Sequence, residues 1–248
     1  MRSVTVAAIS AILLGAIAPA ALAKGGARNP PPGYDISYPQ CGGTYPAKPA
    51  FGIVGVTHGL PWSANPCLAD EYRWALATSR PSLYTNTANP GPALSSHWPT
   101  GQATPRACDG SWSAGCSYDY GWNAAEDAFV RVASGGLGQQ AAASSPWWLD
   151  VETANSWNGD DTSTNVAAIQ GFADYLRSAG VPSVGIYSTS YQWGQITGGQ
   201  NATFASTPNW VAGATAKTAR NYCNASFTGG PVTYVQYPSN GFDADLAC

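Results

Sequence analysis

The run Trp147-Trp148-Leu149-Asp150-Val151-Glu152, WWLDVE at 147–152, decides how the chain is read. It is an apolar segment of strand length that closes on acid. Alternate side chains of a strand share a face, so Asp150 and Glu152 point one way and Leu149 and Val151 the other. Two carboxyl groups on one wall of a strand call for a partner structure that explains them.

Similar short apolar or β-branched runs recur on both sides: Tyr34 to Tyr38, Phe51 to Thr57, Ser82 to Asn86, Ser183 to Ser188, Trp210 to Ala214 and Val232 to Tyr237. Seven strands are expected. Helical spacing lies between several of them. Val166, Ile169, Phe172 and Leu176 follow a Ser163/Thr164 start and precede Gly180 and Pro182. Leu68, Tyr72 and Leu76 mark a second helix, and Trp122, Ala125, Phe129 and Val132 a third, with Ser117 or Asp119 as its cap.

Strands that alternate with helices pair in parallel, in an open doubly wound sheet or a closed barrel. No glycine-rich phosphate turn follows an early strand, which argues against a nucleotide site and so for closure. The fold class expected is α/β, a TIM-type (β/α) barrel, irregular with fewer than eight helices. Residues 87–117 show no period and are dense in Pro, Gly, Ser and Trp; a loop that long is functional or hides an element.

Composition narrows the function. The 248 residues carry a net charge of −3 with no cluster of Lys or Arg, which excludes a protein that tracks phosphate backbones. Arg2, the apolar run Val4 to Ile17 and Ala21-Leu22-Ala23 read as a secretory signal over residues 1–23. A Gly/Pro leader follows at 24–32, and the domain is expected over 33–248. After cleavage no segment would enter a membrane.

Export favours disulfides, and the six cysteines form an even set. Cys108 with Cys116 bracket one loop and Cys223 with Cys248 the last structural unit, leaving Cys41 for Cys67. Neither their spacing nor the two histidines suits a metal. No metal, nucleotide or flavin is expected. Asn201 and Asn224 begin glycosylation sequons.

Other acids sit where a barrel would bring them to Asp150 and Glu152. Asp35 lies in the first strand, and Asp243 and Asp245 follow the last. Active sites of β/α barrels occupy the C-terminal ends of the strands, and acids from the first, middle and last strands converge there only if the sheet closes. Crowded carboxyl groups beside tryptophans retain a proton near neutrality, as a general acid at a glycosidic oxygen must. The structural alternative is that Asp150 and Glu152 cap a helix or pair with Arg177. Trp62, Trp98, Trp112, Trp157 and Trp193 either line a sugar-binding cleft or pack the core.

GYDISYPQ at 33–40, WWLDVET at 147–153, VGIYST at 184–189, NWVAGA at 209–214 and VQYPSNGFDAD at 235–245 together resemble the family 25 glycoside hydrolases. These are lysozymes that cut the muramic acid to glucosamine bond of peptidoglycan. The likeness extends to their secreted glycoside-hydrolase-like relatives. It implies that Glu152 is the proton donor, Asp150 and Asp35 are its catalytic partners, Asp243 is the terminal aspartate and Tyr187 stands near the sugar.

Asn86, His58, Gln236 and Trp157 complete the set of residues expected to bind substrate. The chain departs from the family pattern at Thr57-His58-Gly59, where an acid is usual, at Tyr84-Thr85-Asn86, where Tyr-His-Phe is usual, and over 87–145.

The expectation is a secreted, monomeric, cofactor-free glycosidase acting on peptidoglycan or a related polysaccharide. Two alternatives stand beside it. One is an exported glycan-binding or cell-wall-associated module that has kept the barrel and lost turnover; the other is a disulfide-stabilised interaction protein with its acids salt-bridged.

Overall fold

A computed structural model describes residues 31–248. The expected signal segment at 1–23 and the leader up to residue 30 lie outside the described residues. Eight strands close into a barrel in chain order: β1 (Gly33–Ile36), β2 (Gly52–Gly55), β3 (Pro81–Asn86), β4 (Trp147–Asp150), β5 (Val184–Ser188), β6 (Asn209–Val211), β7 (Val232–Ser239) and β8 (Phe242–Ala247). Neighbours from β1 to β7 are parallel. The last strand runs antiparallel to both β7 and β1.

This eighth strand corrects the expectation of seven. Asn240 and Gly241, with φ of 53° and 80°, make a two-residue turn between the paired Ser239 and Phe242. An Asn-Gly turn with two positive φ values matches strand twist and folds the chain straight back. Asp243 and Asp245 therefore lie within a strand rather than beyond one. The hairpin supplies the closing strand without a crossover helix, which makes the barrel irregular.

Six α-helices occupy the connections from β2 to β7: α1 (Leu68–Leu76), α2 (Ala114–Val132), α3 (Gly138–Ser144), α4 (Thr162–Ser178), α5 (Ser190–Thr197) and α6 (Ala219–Tyr222). Two helix starts differ from those expected. The hydroxyl of Ser113 caps α2 by accepting from the Cys116 amide, so Ser117 and Asp119 are buried within the helix. Asp161 caps α4 through the Ser163 amide at 3.0 Å, two residues ahead of the expected start. Helices α2 and α4 touch backbone to backbone, because a Cβ added at Gly171 would lie 2.0 Å from the Tyr118 carbonyl oxygen.

The strands bury both faces. Outward residues such as Val54, Leu83, Leu149, Ile186 and Val235 pack under Phe129, Ile169 and Phe172 of the helices. Inward residues Phe51, Ile53, Trp148, Trp210 and Tyr234 fill the barrel. Trp148 fits inside because its register partner on β5 is Gly185, where a Cβ would fall 2.2 Å from the indole. This inner aromatic floor sets the height at which polar side chains emerge.

Residues 87–113 form no regular element. Trp98, Cys108, Cys116 and Tyr120 are buried together, with Trp62 and Trp112 packed on them. The stretch has its own small aromatic core, which needs no sequence period. Three disulfides pair Cys41 with Cys67, Cys108 with Cys116 and Cys223 with Cys248. The last ties the end of β8 to the end of α6.

Candidate active site

Above the aromatic floor, at the C-terminal ends of the parallel strands, lies a cavity of about 160 Å³ lined by Asp35, Tyr84, Asp150, Glu152, Tyr187, Trp210, Gln236 and Asp243. Acids from β1, from the end of β4 and from β8 thus meet at one place, although Asp35 and Asp243 stand at opposite ends of the described chain. Their side chains meet because the two-residue period keeps each on the inner face while closure sets β8 beside β1. Asp35 and Asp243 are direct register partners.

Each carboxyl group has a distinct environment. Asp150 is buried and accepts a hydrogen bond from the Asn86 side-chain amide. The Thr57 hydroxyl donates to Asn86 Oδ1 at 2.7 Å, which fixes the amide so that its Nδ2 faces Asp150. Burial, and next the neighbouring Glu152 carboxyl, hold the Asp150 carboxyl well above the usual carboxylate range. Asp150 Oδ1 is buried with no hydrogen-bond partner among the described residues.

Asp35 is buried and accepts from Gln236 Nε2 at 3.0 Å, and Gln236 Oε1 accepts from the Tyr187 hydroxyl at 2.7 Å. Burial and then the Asp243 carboxylate raise Asp35 to about 8. Asp245, fully buried beneath, accepts from the Trp210 indole at 2.7 Å. It too is driven well upward, first by burial and then by Asp35. Near neutrality the cluster is rich in protons, so it presents acid hydroxyls as well as carboxylates to whatever enters.

Glu152 follows β4 and is only partly buried. Its backbone carbonyl accepts from the Trp157 indole at 2.7 Å and the Asn155 amide at 3.1 Å. Gln192 Nε2 approaches its Oε1 at 3.4 Å. Arg177, the sequence alternative as an ion-pair partner, instead bonds Asp174 at 3.0 Å along α4. Among the described residues the other ion pairs, Arg73–Asp70 and Arg131–Asp127, also lie along single helices. The acidic cluster includes none of them.

Of the expected site residues, Asp35, Asp150, Glu152, Tyr187, Gln236 and Asp243 line the cavity. Asn86 stands behind Asp150, and Trp157 supports the Glu152 backbone. His58 is exposed and stacks on Tyr38, ring centres 3.8 Å apart. Trp62, Trp98, Trp112, Trp157 and Trp193 are absent from the lining; the indole that faces the cavity is Trp210, with Tyr187 4.5 Å away centre to centre. Asp245, expected among the converging acids, lies buried and bonded to Trp210 and is not part of the lining, whereas Tyr84, Trp210 and Gln192 are site residues that the sequence reading did not name as such. Tyr84 was legible, because it shares its strand face with Asn86.

The chain has the fold of the family 25 lysozymes. A family model for lysozyme-like protein 1 matches residues 122–229. Among solved structures, a muramidase from Trichobolus zukalii is 21% identical with a TM-score of 0.58, covering 88% of this chain and 94% of its own. A bacterial lysozyme from Streptomyces coelicolor is 20% identical with a TM-score of 0.57, over 88% of this chain and 91% of its own. A family GH25 lysozyme from Aspergillus fumigatus is 17% identical with a TM-score of 0.57, over 88% of this chain and 93% of its own. A comparison with curated proteins finds no match.

Proposed function

We propose that the protein is an exported glycoside hydrolase that cuts cell-wall glycan in the manner of a muramidase, with residues 33–248 as its catalytic domain. One observation carries this reading: Asp35, Asp150, Glu152 and Asp243 converge on a single cavity at the C-terminal end of a lysozyme-type barrel. The signal pattern at 1–23 and the three disulfides support export.

Glu152 is the general acid, because its carboxyl lines the cavity just beyond β4, partly open to solvent, while the Trp157 indole holds its backbone and Gln192 Nε2 approaches its Oε1. It gives its proton to the glycosidic oxygen as the bond breaks. Asp150, buried at its side and oriented by Asn86, and Asp35 across the cavity are the supporting carboxyl groups at the sugar whose bond is cut. Tyr187, Gln236 and Asp243 bind its hydroxyls, and Trp210 offers an aromatic wall.

The experiment is reducing-end release from purified peptidoglycan and from chitin oligomers by the mature protein and by Glu152→Gln. Release by the first and its loss by about 10²- to 10⁴-fold in the second, with folding retained, is the expected result. Glycan binding without release from either would instead favour the binding-module reading, for which the Thr57-His58-Gly59 departure beside the site is the motive.

A further inference from the structure

Helix α5 opens with Thr189-Ser190-Tyr191-Gln192, the spacing of a capping box. Half of the box forms: Thr189 Oγ1 accepts from the Gln192 amide at 3.0 Å. In a complete box the Gln side chain would turn back to the Thr189 backbone. Here it turns away, towards the loop that carries Glu152.

Gln192 Oε1 accepts two hydrogen bonds from Thr153, one from the backbone amide at 2.6 Å and one from the hydroxyl at 2.9 Å. The backbone N–H fixes the amide orientation, because a flipped NH₂ would face that N–H hydrogen, while the Thr153 hydroxyl adds a second donor to the same oxygen. Nε2 is therefore committed to the opposite direction, where it meets Glu152 Oε1 at 3.4 Å. On the far side, Trp157 and Asn155 hold the Glu152 carbonyl oxygen. The backbone of the acid is held by one loop, and its carboxyl faces an oriented donor at a helix start.

We propose that Gln192 is the positioning residue of the general acid, and that it fixes which oxygen carries the proton. An oxygen that accepts from an NH₂ group cannot hold the acid hydrogen along the same line. The proton of Glu152 is then placed on Oε2, and it is Oε2 that hands it to the glycosidic oxygen and is left as carboxylate. The inference rests on Glu152 being the acid of the proposed hydrolase. A diverted capping side chain is the cost in local helix stability that this arrangement accepts.

The chain has only three glutamates, Glu71, Glu126 and Glu152, so carbon-13 glutamate labelling gives three carboxyl resonances. The Glu152 signal is assigned by its loss in Glu152→Gln. In Gln192→Met, which keeps the length and removes both polar atoms, the Glu152 signal is expected to move while Glu71 and Glu126 hold. Glycan release is expected to fall through kcat by roughly 10- to 100-fold, the loss a misplaced catalytic group brings, with KM little changed.

Gln192→Glu restores an O–H donor only when its own carboxyl is protonated, so its activity is expected to return on the acid side of the pH profile. A Glu152 signal that stays put in both variants overturns the proposal, whatever the activity. A signal that moves in Gln192→Met, in a protein that releases nothing even as wild type, keeps the Gln192–Glu152 link and removes the hydrolase reading. A kcat loss with an unaltered pH profile in Gln192→Glu refutes the assignment of the donor.

Discussion

Trp210 donates its indole N–H to Asp245 Oδ1 at 2.7 Å, and Asp245 lies on β8 two residues from Asp243, the register partner of Asp35. A tryptophan of β6 and an aspartate of β8 thereby form a floor that keeps a second buried acid beneath the first. Burial and mutual repulsion raise both, with Asp35 reaching about 8.

Stability should consequently fall as pH rises from about 4, the unfolded value of an aspartate, towards the folded value of Asp35 near 8. In that window the folded chain holds more protons than the unfolded one, so the sign of the slope is negative. Each such proton contributes up to about 1.4 kcal/mol per pH unit. Thermal unfolding at pH 5 and pH 8 checks this, with Asp245→Asn expected to flatten the dependence. A midpoint that climbs between these values would contradict it.

Asp150→Asn should separate stability from activity. The substitution removes a carboxyl that burial and Glu152 both disfavour as an ion, and it retains an oxygen to accept from Asn86. Equal or higher stability at pH 8 is expected, together with at least about a 10²-fold loss of glycan release, as for other groups that stabilise developing charge. Parallel melting curves and rate assays decide the matter.

Gly171→Ala should destabilise the barrel through α2 and α4 and not through the site. The added methyl would sit 2.0 Å from the Tyr118 carbonyl oxygen and 2.9 Å from the Trp122 amide nitrogen, both backbone atoms that cannot swing away. Overpacking of this kind costs about 1–3 kcal/mol or more. Denaturant titration should show that loss, with kcat of the folded fraction unchanged.

Removing the Cys223–Cys248 disulfide by paired Ser substitutions should affect activity beyond its effect on folding. Its 25-residue separation corresponds to about 3–4 kcal/mol of chain entropy. The bridge also anchors the end of β8, whose Asp243 and Asp245 face the cavity and its floor. Hydrogen exchange should rise first in β8, and glycan release should drop at temperatures where the barrel remains folded. Uniform exchange across all strands would argue against this anchoring role.

Local pattern alone placed a strand at WWLD, which ends at Asp150 and leaves Glu152 just beyond it, the inward face of Asp150, and the helix behind Val166 and Leu176. All of these depend on a two- or 3.6-residue period or on nearby chemistry, which a linear chain displays directly. Only the tertiary structure decided that β8 turns back at Asn240-Gly241 to close the barrel, that Trp210 and not another tryptophan faces the acids, and that Gln192 leaves its own helix cap for Glu152. Those outcomes depend on register and side-chain direction between segments far apart in sequence. The energy that selects among them comes from burying aromatic rings and satisfying polar atoms inside a closed sheet, and it exists only once the strands have met.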